Sequence, residues 1–182
     1  MKNLYFIRHG ESTANIINLT GTDDAMLTEN GIKQATDAGK AAKKEGLEFD
    51  VIISSSLPRA LDTAKLVAHE IDYTKEIEQL PILRERWFGD LEGKFMAEET
   101  GRPLEYYFDN PLSIDDLPGV EKLADLHKRA EDVIAYAKAK TEDTVLLVSH
   151  AALARSILKA LNGIPYDEPI DTLENAKIIK LI

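Results

Sequence analysis

The chain has 182 residues, enough to bury a real core in one domain, and its 44% hydrophobic, 30% charged composition is that of an ordinary globular protein. A net charge of −10 argues against nucleic acid and anionic membranes as general partners, and the absence of cysteine excludes disulfide frameworks, thiolate nucleophiles and cysteine-ligated zinc. No run approaches the roughly 18 apolar residues that span a bilayer, and the start carries no secretory pattern, so the expectation is a cytoplasmic protein.

Leu4-Tyr5-Phe6-Ile7 reads as a short buried strand, and Arg8, His9, Gly10 and Glu11 follow it at once. Thr28 stands at the N-cap of a helix with the stripe Ile32, Ala35, Ala38, Gly39 and Ala42, and Gly46 stops it. A second strand, Val51–Ile53, ends in Ser54-Ser55-Ser56. The next helix carries Arg59 just inside its start and the stripe Ala60, Leu61, Ala64, Val67, Ala68 and Ile71. Residues 94–120, rich in proline, glycine, acids and aromatics, break the pattern and read as a cap inserted over one end of the sheet. The cleanest stripe comes next: Leu123, Leu126, Ala130, Val133, Ile134 and Ala137. The strand Thr144–Val148 delivers Ser149-His150 to a fourth helix (Leu153, Ile157, Leu158, Leu161), which Asn162-Gly163 ends. Ile178–Ile182 is a last strand. Strand–helix alternation with nearly all-apolar strands predicts an α/β fold, one domain over 1–182, with a mostly parallel central sheet and helices on both faces.

In such sheets ligands bind beyond the carboxyl ends of the strands. Three predicted strands end in polar groups suited to one ligand: Arg8-His9, Ser54-Ser55-Ser56 with Arg59, and Ser149-His150. Arginine forks and helix N-termini describe an anion site, most naturally for a phosphoryl group. A phosphate-binding module could use the same parts. The imidazoles favour chemistry: histidine is only partly charged near neutrality, so it holds phosphate poorly, but it is a good nucleophile toward phosphorus. His69 and His127 have no such setting and read as packed or solvent residues. The stretch "GDLEGKF" does not match a nucleotide-binding loop, because three residues separate its glycines and Phe95 follows the lysine.

Five ordered motifs carry a resemblance that runs through nearly the whole chain. "RHGES" with Asn15, "GTDDAMLTENGIKQA", "SSSLPRALDTA", "LRERWFGDLEG" and "VSHAALAR" resemble the histidine phosphatase superfamily, the phosphoglycerate mutase-like fold, in its small bacterial-type phosphatase branch. That resemblance implies a three-layer α/β sandwich and a phosphomonoester hydrolase working through phosphohistidine on a small organic phosphate. It casts His9 as nucleophile, Arg8, Arg59 and His150 around the phosphoryl group, Asn15 as a further donor to it, and Glu85 as proton donor to the leaving oxygen. No metal and no organic cofactor are implied. The expected partner is a small phosphate monoester, with the chain a monomer or homodimer. Glu11 belongs either to the pocket rim or to a cap on the following turn. Arg86 stands where mutases of the family also carry a basic residue.

Two departures bear on the pocket. Ala151 and Ala152 follow His150 where the family usually has glycine, and alanine does not cheaply take positive φ. Thr22 and Met26 stand where the family often has an aromatic residue and proline. The alternatives weighed are a cofactor-dependent phosphoglycerate mutase and a non-catalytic phospholigand-binding relative. Only 65 positions separate Glu85 from His150, too few for the long basic insertion of the family's mutases. The predicted cap from Lys94 to Pro118 carries six acids (Glu98, Glu99, Glu105, Asp109, Asp115, Asp116) against Lys94 and Arg102, which disfavours a polyanionic cofactor. Trp87, Tyr106, Tyr107 and Phe108 either line a site for an organic monoester or pack a core.

Overall fold

A computed structural model describes residues 3–103 and 106–182, with Phe108 described by its backbone alone. In chain order the elements are β1 (Asn3–Arg8), α1 (Thr13–Ile16), α2 (Glu29–Lys44), β2 (Val51–Ser54), α3 (Pro58–Glu70), β3 (Glu78–Gln79), α4 (Met96–Thr100), α5 (Tyr106–Asp109), α6 (Leu123–Lys138), β4 (Thr144–Ser149), α7 (Ala151–Asn162) and β5 (Ile178–Lys180). The five strands lie in the order β3-β2-β4-β1-β5. Four run parallel, and β5 pairs antiparallel at the edge beside β1. The fold is the expected α/β architecture. β3 escaped the sequence reading because two residues, Glu78 and Gln79, carry no apolar alternation to detect.

Each face of the sheet has its own core. On one, Ile7, Ile52, Leu146 and Val148 meet Ala60, Ala64 and Val67 of α3. On the other, Phe6, Ile53, Val145 and Leu147 meet α6 and α7. Every residue of the predicted α6 stripe is buried. The α2 stripe is rotated from its prediction: Gly31, Ala35, Gly39 and Ala42 face inward, while Ile32 is exposed. Small residues set that choice. A Cβ on Gly39 would lie 2.7 Å from the Glu70 Cβ and 3.1 Å from the Val67 Cα, so α2 packs closer to α3 than a larger residue allows. Residues 88–120, closed by a bridge between Phe88 and Val120, gather round a small cluster of Leu91, Met96, Tyr107, Ile114 and Val120. Thr20 fastens this cap to the body through backbone and hydroxyl bonds to Lys94 and Leu91. Among the described residues no helix is long and apolar enough to cross a membrane.

The turn after β1 is pinned against the start of α2. The Thr28 hydroxyl accepts from Gly31 N–H at 2.9 Å as N-cap, and Glu11 C=O accepts from Thr28 N–H at 3.0 Å. A Cβ on Gly31 would stand 1.9 Å from the Glu11 carbonyl oxygen, a collision with backbone. Gly31→Ala should therefore cost about 1–3 kcal/mol of stability, as overpacking does. A lowered urea midpoint at unchanged slope is the expected reading; an unchanged midpoint would show that the turn yields freely.

Candidate active site

Parallel register builds the centre of the site. Arg8 pairs with Ser149, so the residues that follow, His9 and His150, leave adjacent strands side by side. Their rings lie 5.1 Å apart, tilted by 59°. Ser54 pairs with Val148 on the other side of β4, which brings Ser55 to His150. The backbone of His9 is held on both sides: its N–H donates to Ser149 C=O at 2.9 Å, and Asn175 Nδ2 donates to its carbonyl at 2.8 Å.

His9 is buried, and its Nδ1 lies 2.7 Å from Gly10 C=O. A carbonyl only accepts, so that contact assigns the proton to Nδ1 and leaves the Nε2 lone pair free. Burial, then the charges of Arg59 and Arg8, push the imidazole pKa well below its ordinary value, against the opposing pull of the Gly10 bond. His150 is also fully buried, and burial followed by the Arg59 charge lowers its pKa in the same way. Its Nε2 lies 2.8 Å from the Ser55 hydroxyl, while its Nδ1 is buried without a partner among the described residues.

Arg8, His9, Asn15, Arg59 and Glu85 line one pocket, together with Arg155. Arg8 Nη1 donates to Leu173 C=O at 2.9 Å, and its Nε has no partner among the described residues. Arg59, at the second position of α3, donates from Nη1 to Thr22 C=O at 2.6 Å. Asn15 Oδ1 accepts from Ser12 N–H at 3.1 Å, which leaves its amide nitrogen as the group to meet a ligand.

The Glu85 carboxylate sits at the N-terminus of α7. It accepts from Ala151 N–H at 3.1 Å, Ala152 N–H at 3.0 Å and Arg86 N–H at 3.0 Å. The sequence reading gave that helix end to the phosphoryl group; the chain's own carboxylate takes it instead, because a helix N-terminus favours any nearby anion. Ala151 and Ala152 also need no glycine there. Both lie in the first turn of α7, and neither has positive φ.

Three residues singled out in the sequence do not line the His9 pocket: His150, which is fully buried, Glu11 and Arg86. Glu11 accepts from the Thr28 hydroxyl at 2.7 Å, at the N-terminus of α2 and not on the turn that follows it. Arg86 is buried and donates to Glu121 C=O at 2.9 Å, to Pro111 C=O at 3.1 Å and to the Asp115 carboxylate. Its charge is already matched by Asp115. Of the aromatic residues, Tyr107 is buried in the cap with its hydroxyl on Thr100, and Trp87 lies under the Arg84 guanidinium at 4.3 Å, lining no pocket with His9. The predicted contributions of the Phe108 side chain and of Glu105 lie outside the described residues.

Arg129, from α6, is a positioning residue that sequence reading missed. It donates to Ile82 C=O at 2.8 Å, Arg84 C=O at 2.7 Å and Glu85 C=O at 3.3 Å, and its fork grips the Glu121 carboxylate. One half-buried guanidinium thus fixes the irregular backbone that aims Glu85. Its only sequence signal was a basic residue interrupting the α6 pattern, which every exposed helix face also shows.

Known proteins resemble this chain along nearly its whole length. The family model described as histidine phosphatase superfamily (branch 1) matches residues 4–182. A 2,3-bisphosphoglycerate-dependent phosphoglycerate mutase from Bartonella henselae is 32% identical over 177 residues, covering 93% of this chain and 85% of that protein. Among solved structures, a putative alpha-ribazole-5′-P phosphatase from Escherichia coli superposes with a TM-score of 0.81 at 27% identity, covering 99% of this chain and 90% of that one. A phosphoserine phosphatase from Entamoeba histolytica, in complex with 3-phosphoglyceric acid, gives 0.78 at 29% identity with the same coverage.

Proposed function

The chain belongs to branch 1 of the histidine phosphatase superfamily, and on that premise we propose that it hydrolyses small organic phosphomonoesters through a phosphohistidine at His9. The observation that carries this reading is the His9 ring: buried, neutral, its Nδ1 tied to Gly10 and its Nε2 left free among Arg8, Arg59 and Glu85. The Nε2 lone pair attacks phosphorus as the ester P–O bond breaks, and Glu85, which must enter this step in its protonated form, gives its proton to the departing oxygen. Gly10 C=O accepts from the positive ring that results. Water then attacks the phosphohistidine, its proton passes to Glu85, the N–P bond breaks and phosphate leaves. Arg8 and Arg59 meet the charge that spreads over the phosphoryl oxygens, where phosphoryl transfer needs its stabilisation. The Nδ1 of His150 has no partner among the described residues, but its ring is fully buried and lines no part of the His9 pocket, so Arg8 and Arg59 carry this role.

Hydrolysis is favoured over mutation of phosphoglycerate by the state of Arg86. A mutase must hold a doubly charged acid beside the phosphoenzyme and exclude water. The basic residue that would begin such a cluster is instead paired with Asp115 inside the cap. Glu98, Glu99, Asp109 and Asp116 are exposed on the cap, and their charge repels a bisphosphate. A coupled assay separates the two: phosphate should be released without 2,3-bisphosphoglycerate, with little interconversion of 2- and 3-phosphoglycerate. Isomerisation outpacing hydrolysis would replace this reading by the mutase. No release from p-nitrophenyl phosphate or any monoester in a panel, with EDTA present, would leave a phospholigand-binding protein.

The role of Glu85 has its own signature. Glu85→Gln should slow alkyl phosphates by about 10²–10⁴-fold, the usual worth of a general acid. p-Nitrophenyl phosphate, whose phenolate leaves with little help, should suffer far less. Equal loss on both substrates would assign Glu85 to holding the start of α7 only.

A further inference from the structure

The tautomer of His9 hangs on one carbonyl, and that carbonyl belongs to a peptide that the local chain does not hold in place. His9 Nδ1 meets Gly10 C=O at 2.7 Å. Position 10 has no room for a side chain, since a Cβ there would lie 2.4 Å from the Gly31 carbonyl oxygen. Glycine leaves its own backbone loosely restrained, so the peptide joining Gly10 to Glu11 takes its orientation from outside. A trans peptide is planar, with its N–H and C=O pointing in opposite directions. Holding the N–H therefore aims the carbonyl. Glu11 N–H donates to Gln34 Oε1 at 2.8 Å. Gln34 is half-buried in the second turn of α2 and lines no part of the His9 pocket. The preceding peptide is gripped separately, by Asn175 Nδ2 on His9 C=O at 2.8 Å and by the Thr63 hydroxyl on Gly10 N–H at 3.0 Å. Helix α2 cannot recede from this turn either, because Thr28 N–H is bonded to Glu11 C=O at 3.0 Å.

We infer that Gln34 is a positioning residue for the His9 nucleophile, acting through the Gly10–Glu11 peptide to keep the ring proton on Nδ1 and the lone pair on Nε2. Without that acceptor, Glu11 N–H is left unpaired in a half-buried turn, and the peptide rotates to find water. Gly10 C=O then leaves the line to Nδ1. A neutral ring that has lost this bond shares its proton between both nitrogens, and the fraction with Nε2–H cannot attack phosphorus. This rests on reading His9 as the nucleophile, but the tautomer is a property of the protein without substrate.

Long-range proton–nitrogen NMR of protein labelled in its histidine rings reads the tautomer directly. It is done at neutral pH, where burial and the arginines keep the His9 ring uncharged. Wild-type His9 should show a protonated Nδ1 and a bare Nε2. Gln34→Met keeps the bulk but loses the acceptor, so a clear Nε2–H fraction should appear. Gln34→Glu keeps an acceptor oxygen at the same reach and should restore the wild-type spectrum. Phosphoenzyme formation should slow by about three- to tenfold in Gln34→Met, the worth of one hydrogen bond, with KM unchanged, and recover in Gln34→Glu. A His9 ring still fully protonated at Nδ1 in Gln34→Met, or a change that Gln34→Glu does not reverse, would overturn the inference. If Gln34→Met does not fold, amide exchange in the wild-type protein decides: Glu11 N–H should be protected, and exchange as fast as that of an exposed loop amide would overturn it. A wild-type protein that shows the expected tautomer but releases phosphate from no monoester would instead strike the hydrolase reading and leave the role of Gln34 standing.

Discussion

His9→Ala should abolish turnover and leave no acid-labile phosphoenzyme when a reaction with radiolabelled monoester is quenched. No neighbouring group can take over. His150 is the nearest other imidazole, but its ring is fully buried and lines no part of the His9 pocket, and its Nε2 is engaged with the Ser55 hydroxyl. A variant that still trapped phosphate covalently would move the nucleophile elsewhere. The same residue fixes a pH dependence. Burial and two arginines push the His9 pKa well below its ordinary value of about 6.5, so Nε2 keeps its lone pair as the solution is acidified through that value. Phosphoenzyme formation should therefore not fall with an apparent pKa of 6.5, and an NMR titration should show the His9 ring protonating well below it.

Stability follows the opposite demand. Below about pH 6.5 the unfolded chain protonates His9 and His150 while the native state resists, so the unfolded state binds more protons there. The contribution of the two neutral rings is complete above 6.5 and is lost as the pH falls from 6.5 through their lowered values. The urea midpoint should decline across that window, and less steeply when either ring is replaced by a non-titrating residue of similar size. A midpoint flat across the window would mean that the rings titrate normally.

Most of the frame was legible in the sequence because it depends on periodicity. The α6 stripe and the three central strands are patterns of apolar residues, and burial follows them residue by residue. The meeting of His9 with His150 was legible for a related reason: both end apolar strands, and ligands gather at such ends. What remained hidden depends on where irregular segments fold back. Nothing in the sequence distance between Glu85 and Ala151 announces that the carboxylate caps α7, and a mid-helix arginine at 129 looks like any solvated charge until the 82–85 backbone is laid against it. Arg86 shows this as well. Its place in the family motif suggests a pocket cation, while its partners in space, Asp115 and two carbonyls, come from residues 25–35 positions away.

Arg59→Ala should lower kcat by about a hundredfold or more, the loss seen when a single donor to developing oxyanion charge is removed. Arg59 is buried and pre-aimed, its Nη1 fixed by Thr22 C=O, so it costs nothing further to order when substrate arrives. Charge on the phosphoryl oxygens is redistributed as the ester bond breaks, and a donor matched to that distribution stabilises the transition state more than the ground state. The damage should thus fall on kcat more than on KM. Vanadate, which takes up the five-coordinate geometry of phosphorus in flight, should lose affinity more than phosphate does. Arg59→Lys keeps the charge but not the planar fork, and should recover only part of the rate. The substitution also reports on His9. Arg59 is the largest charge depressing that imidazole, so its removal should move the His9 titration upward, toward but not reaching its ordinary value, because burial remains the leading cause. A merely structural arginine would lower the amount of folded protein and leave the titration of His9, the kcat-to-KM split and the vanadate preference where they were. Turnover within about threefold of wild type would remove Arg59 from the phosphoryl site and return the burden of charge to Arg8 alone.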